Sequence, residues 1–94
     1  MRHHNYYNDI DGPCCLYRLY SASGELLYVG VSSRVEQRLG QHRRSKAWFA
    51  EVALCTTEDH KHRASAFHAE KKAIAQENPR YNIVRPFWSE PRWA

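Results

Sequence analysis

Ninety-four residues make one domain's worth of chain, near the commonest domain size. Hydrophobic content of 43% with 26% charged residues excludes a disordered chain, and the longest apolar run falls far short of the ~20 residues that span a membrane. A net charge of +4 at pH 7 favours a polyanionic partner, nucleic acid above all.

The first twelve residues, MRHHNYYNDIDG, are polar and Asn/Asp-rich and read as a loose arm. They lack the apolar stretch of a signal peptide, so the cytoplasm is the expected compartment. Three cysteines, Cys14, Cys15 and Cys55, agree with that. Their number is odd, adjacent cysteines pair poorly, and no Cys-x-x-Cys occurs, which argues against both a disulfide framework and a zinc ribbon.

From Cys14 to Tyr20 the run CCLYRLY is rich in β-formers. Ser21 to Gly24 supplies turn chemistry, and ELLYVGV, Glu25 to Val31, gives a second strand. Two short strands about a four-residue loop with Gly form a hairpin. A symmetric loop sets Tyr20 against Glu25 and therefore Tyr17 against Tyr28, with Cβ atoms ~5 Å apart on one face. Gly30 lies two residues beyond Tyr28 on that face and leaves an open floor beside the phenols.

Ser33 followed by Glu36 is a capping-box signature and predicts a helix from about Arg34 to Arg44. Val35, Leu39 and His42 share one stripe of it, with Arg38 one turn before His42. Gly40 weakens this helix by ~1 kcal/mol relative to Ala, so packing must hold it. WFAEVALCT, Trp48 to Thr56, reads as a third strand. A second helix is expected over Arg63 to Glu77, ended by Asn78-Pro79, and YNIV, Tyr81 to Val84, as an extended segment returning to the body. The order β-β-α-β-α indicates an α+β fold with a small three-stranded sheet. The domain is expected over residues 13–84, with a Pro- and aromatic-rich tail from 85 to 94.

On the second helix Phe67, Ala73 and Ile74 form the expected apolar stripe, and Glu70 falls within it. An inward carboxylate needs an arginine partner, a position at the rim, or a metal. The residues His60, His62 and His68 lack finger spacing and do not read as a zinc site.

Two tyrosines, an arginine and a histidine one turn apart, an inward glutamate and a late asparagine together resemble a GIY-YIG nuclease domain. Tyr28-Val29-Gly30 matches the second half of that motif, and Cys15-Leu16-Tyr17 the first, with cysteine replacing the initial glycine. Arg38 follows Tyr28 by ten residues, His42 follows Arg38, and Glu70 precedes NPRYN, Asn78 to Asn82. The resemblance spans about residues 14–84. It implies a β-β-α-β-α core with a three-stranded antiparallel sheet, and hydrolysis of DNA phosphodiester bonds with one divalent cation, Mg²⁺ or Mn²⁺. Carried over, Glu70 binds the metal, Tyr17 activates water with support from Tyr28, Arg38 holds a phosphate oxygen, His42 assists the nucleophile, and Asn82 positions Glu70 or a tyrosine. A free phenol with pKa ~10 is a poor base near neutrality, so Tyr17 needs help from its neighbours. Arg43, Arg44, Lys46, Lys61 and Arg63, with Arg85 and Arg92 in the tail, are the expected phosphate contacts. These position a strand without specifying sequence. No DNA-reading module accompanies the core, and a homodimer stays open. The alternative is a catalytically silent nucleic-acid-binding module with the same fold.

Overall fold

The computed structural model describes residues 12–82. Most of the expected N-terminal arm and all of the tail, including Arg85, Trp88, Arg92 and Trp93, lie outside the described residues. Strand β1 runs over Cys14–Ser21 and β2 over Leu26–Ser32; helix α1 covers Val35–Ser45. A 3₁₀ turn over Ala47–Glu51 leads into β3, Val52–His60, and helix α2 covers Arg63–Glu77. The three strands form one antiparallel sheet in the order β2-β1-β3. This is the α+β architecture that the sequence indicates.

Alternation along the strands separates two sets of side chains. Leu16, Val29 and Val31, with Cys14, pack against Ala66 and Ala73 of α2, and Leu26 and Ile74 close the edge of that cluster. Each fully buried aliphatic side chain contributes about 1.5–3 kcal/mol relative to exposure. Arg18 fastens α2 to the sheet through two parallel hydrogen bonds to Glu77, at 2.9 and 2.8 Å. The intervening positions of β1 and β2 carry Tyr17, Tyr28 and Gly30.

The hairpin register differs from the symmetric expectation. Tyr17 pairs with Gly30, Leu19 with Tyr28 and Tyr20 with Leu26, with a register shift between Leu19 and Tyr20. The turn explains the offset. Ser21 N–H donates to the Glu25 carbonyl at 2.9 Å and Gly24 N–H to the Ser21 carbonyl at 2.9 Å, with Gly24 at φ +90°. Ser21 and Glu25, not Tyr20 and Glu25, thus close the loop. Tyr17 and Tyr28 remain on one face but are diagonal neighbours.

The expected capping box is not formed. Arg34 is the N-cap of α1 without a side-chain cap bond, which puts Gln37, not Glu36, at the position a box requires. Ser32 Oγ instead accepts the Arg34 N–H at 2.9 Å, and Glu36 in the first turn complements the positive helix end. Trp48 also departs from expectation. The bond from Phe49 N–H to the Lys46 carbonyl, 3.0 Å, turns the chain there, and β3 starts only at Val52. Helix α2 has the expected bounds and ends on Asn78 in the left-handed region, φ 52°, a conformation that asparagine tolerates well. Phe67 is 45% exposed and lies outside the core; Ala66, not Phe67, completes the inward stripe. Two small alanines let α2 approach the sheet closely, and Phe67 overhangs its flank.

The chain then returns along the outer side of β2. Arg80 N–H donates to the Leu26 carbonyl at 3.2 Å and Tyr81 N–H to the Leu27 carbonyl at 2.8 Å. None of the described helices is long and apolar enough to cross a membrane.

Candidate active site

Tyr17 is wholly buried at the middle strand of the sheet. Its ring occupies the space above Gly30, where an added Cβ would overlap the phenol oxygen and ring. The glycine is therefore required by close approach, as an open floor that the tyrosine itself fills. The Tyr17 hydroxyl lies 2.8 Å from Nε2 of His42, which α1 presents as its buried residue.

The protonation states follow from the surroundings. Burial pushes the Tyr17 phenol well above its ordinary pKa, and Tyr28 adds to this. The positive charge of Arg38 opposes the shift, and Glu70 raises it further. His42 moves the other way: burial lowers its pKa, helped by the positive charges of Arg38 and Lys46. At neutral pH the phenol thus keeps its proton beside an uncharged imidazole, and in the tautomer with its proton on Nδ1 the His42 Nε2 accepts from the Tyr17 hydroxyl.

Tyr28 lies beside this pair, its ring centroid 6.1 Å from that of Tyr17 and 4.9 Å from His42 in an edge-on contact. Burial raises its pKa, as does Glu70, with Arg38 opposing. Two rings that sequence reasoning did not place at the site hold Tyr28 from behind. Trp48 stacks on Tyr28 at 5.2 Å, and Tyr81 stacks on Trp48 at 5.2 Å with planes 5° apart. Tyr81 is tied by its hydroxyl to Glu51 at 2.6 Å. The available signal was the recurrence of aromatics just beyond each helix, which β-propensity at Trp48 obscured.

Glu70 faces inward at mid-helix, between Ala66 and Ala73. Burial raises its carboxyl pKa, and Arg38 partly counteracts this. Arg38 is exposed on α1, yet its charge acts on Tyr17, Tyr28, His42 and Glu70 alike. The fold thus brings the two phenols, His42, Arg38 and Glu70 into one electrostatic neighbourhood. Among the described residues, no hydrogen bond or ion pair engages the Glu70 carboxylate. A half-buried acid with that environment fits a divalent cation. Among the described residues no three His, Cys, Asp or Glu side chains group as a metal site, so water and phosphate oxygens would complete the shell.

Asn82 reaches neither Glu70 nor a phenol in the bonds it makes. Its Oδ1 accepts the Val29 N–H at 2.7 Å and its Nδ2 donates to the Val29 carbonyl at 3.0 Å. The amide thereby clamps the backbone between Tyr28 and Gly30. Arg43, Arg44 and Lys46 are exposed at the end of α1, whereas Lys61, exposed, and Arg63, half-buried, lie where β3 passes into α2. The five cations form two groups on different elements.

The model of the GIY-YIG catalytic domain matches residues 13–82. The chain belongs to the GIY-YIG family. A curated relative, "UvrABC system protein C" of Cronobacter sakazakii (strain ATCC BAA-894), is 29% identical over 76 residues, covering 73% of this chain. That alignment takes in 12% of the relative's length, so the match is to one domain-sized part of it. No solved structure matches. GIY-YIG membership makes this a nuclease-family domain, and Tyr17, Tyr28 and Gly30 are the residues of this chain that carry the family's name motif.

Proposed function

We propose that this GIY-YIG domain is a divalent-metal-dependent endonuclease that hydrolyses DNA phosphodiester bonds by direct attack of water. The observation that carries the reading is the 2.8 Å contact between the Tyr17 hydroxyl and His42 Nε2, made inside the reach of Arg38 and Glu70. A phenol with a raised pKa is a poor base alone. Coupled to a neutral imidazole, it becomes a relay: Tyr17 takes a proton from the attacking water as its own proton passes to Nε2. His42 ends as imidazolium and Tyr17 ends unchanged.

Arg38 contributes a guanidinium that binds a non-bridging phosphate oxygen and offsets the charge gathering there. Its positive charge, which works against the burial that raises the Tyr17 pKa, also favours release of the phenol proton during the attack. Tyr28, braced by Trp48, fixes the opposite wall. A single Mg²⁺ or Mn²⁺ held by Glu70 would supply charge stabilisation for the leaving 3′ oxygen. Arg43, Arg44, Lys46, Lys61 and Arg63 hold the strand by its phosphates. The unpaired described cysteines suit a cytoplasmic setting. As the match to the curated relative spans one part of it, activity by this domain alone is part of the proposal.

The test is nicking of supercoiled plasmid by the purified chain with and without Mg²⁺. Activity that needs the metal and disappears in both Tyr17→Phe and Glu70→Gln supports the reading. Folded protein that binds DNA in EDTA yet shows no cleavage whichever divalent metal is added would replace it with the silent binding module.

A further inference from the structure

Phe67 is a large aromatic left 45% exposed on α2. It stands one helical turn before Glu70, a spacing that brings side-chain bases within about 5–6 Å. It is not bare on every side: the Arg63 guanidinium lies over its ring, 5.8 Å from the centroid. Arg63 differs from the arginines that brace the fold. Arg18 is paired with Glu77 and Glu58, and Arg80 with Glu25 and Glu51. Among the described residues Arg63 has neither an ion pair nor a hydrogen bond, and its Nε is buried without a partner. An unpaired cation fixed on an exposed ring, beside the inward carboxylate, gives the chain a flat, positively edged surface at the rim of the site. Lys71, exposed one turn further on, extends the positive charge along the same flank.

Such a surface suits a nucleobase. Bases stack on aromatic faces irrespective of sequence and an arginine adds cation–π attraction, and a base still stacked within a duplex has no free face to offer to either. We infer that Phe67 and Arg63 form a stacking platform for an unpaired base adjoining the scissile phosphate, so that the preferred substrate is a nucleic acid with a single-stranded or locally unstacked stretch. The inference rests on the nuclease reading for its location and deepens that reading by naming the substrate class.

The experiment measures binding without cleavage. The full chain carrying Glu70→Gln is titrated in EDTA against single-stranded DNA containing 2-aminopurine and against blunt duplex of the same sequence. Phe67→Ala and Phe67→Leu are each expected to lower single-strand affinity by about 5- to 100-fold and to lessen 2-aminopurine quenching. Phe67→Tyr should restore both, and duplex affinity should stay within about twofold. Phe67→Leu keeps an apolar side chain at the exposed position, so one variant remains informative if the alanine protein folds poorly. Unchanged single-strand affinity and quenching in either folded variant, or equal losses on duplex, would overturn the platform. As neither metal nor hydrolysis enters this measurement, a failure here is distinguishable from a failure to cut DNA.

Discussion

Gly30 lies directly across the β1–β2 ladder from Tyr17, and the phenol occupies the volume that any larger residue at 30 would need. The two halves of the name motif are therefore one packing unit. Glycine from the second half makes space for tyrosine from the first, and the buried tyrosine then reaches His42 on α1.

Gly30→Ala is expected to displace the Tyr17 ring, because the obstructing atoms belong to a ring held by strand backbone and not to a flexible chain end. Overpacking of this kind costs about 1–3 kcal/mol. Thermal unfolding should show that loss, and cleavage should fall by at least the ~10²-fold associated with misplaced catalytic groups. A Gly30→Ala protein with unaltered melting and full activity would show that the phenol's placement does not matter.

How far the sequence revealed this arrangement depends on which interaction sets each feature. The inward position of Glu70 was legible because a helix has one period, and α2 kept it from Arg63 to Glu77. The opposition of Tyr17 to Tyr28 was not, because register depends on bonds among Ser21, Gly24 and Glu25 that loop length alone does not fix. Phe67 was misplaced because periodicity gives a face about 100° wide. Which edge of that face touches the sheet was settled by the close approach of Ala66 and Ala73. Trp48 looked like strand by propensity, but stacking between Tyr28 and Tyr81 places it in a turn, a tertiary preference overriding a local one.

The proposed Tyr17–His42 relay would give activity a defined acid limb. His42 has a folded pKa below its ordinary ~6.5, so the imidazole stays neutral down to that lowered value. Once protonated, Nε2 can no longer accept the phenol proton. Cleavage should therefore be flat near neutrality and fall only as pH drops below the ordinary histidine range. Stability follows the same sign. The contribution from keeping His42 neutral is present above the unfolded pKa and is lost as pH falls toward the folded one. In a His42→Gln protein, kcat should fall by about 10²–10⁴-fold and the acid limb should vanish. Persistence of the limb would assign it to another group.

Tyr17→Phe and His42→Gln should not be additive. If both act in one proton path, the double variant is expected to lose about as much kcat as the worse single one, a coupling read from a double-mutant cycle. Losses that multiply would separate the two residues into independent roles.

Glu70→Gln should abolish cleavage while raising the melting temperature. The raised pKa of Glu70 means that burial disfavours its charged form, so at neutral pH an ionised Glu70 reduces stability, an effect that fades as pH falls and the group protonates. An isosteric amide removes the charge, with an expected gain of about 0.5–1.5 kcal/mol. Mg²⁺ should stabilise the wild-type chain in proportion to its saturation and leave the variant unmoved. A Glu70→Gln protein that melts earlier, or responds equally to Mg²⁺, would detach the carboxylate from cation binding.

The Asn82 amide bonds backbone, at Val29, so its substitution should separate geometry from chemistry. The amide offers one donor and one acceptor to Val29, at 3.0 and 2.7 Å, on the outer side of β2 where strand β1 cannot serve. Asn82→Asp replaces the donor with an oxygen that faces the Val29 carbonyl, leaving repulsion where a bond stood. The expected cost is about 1–3 kcal/mol, with local opening of the β2 edge seen as faster amide exchange at Val29. Tyr28 and Gly30 flank that residue, so kcat should fall while the Mg²⁺ concentration needed for half-maximal rate stays unchanged. If the metal requirement shifts instead, Asn82 acts on Glu70 and not on the strand that carries Tyr28.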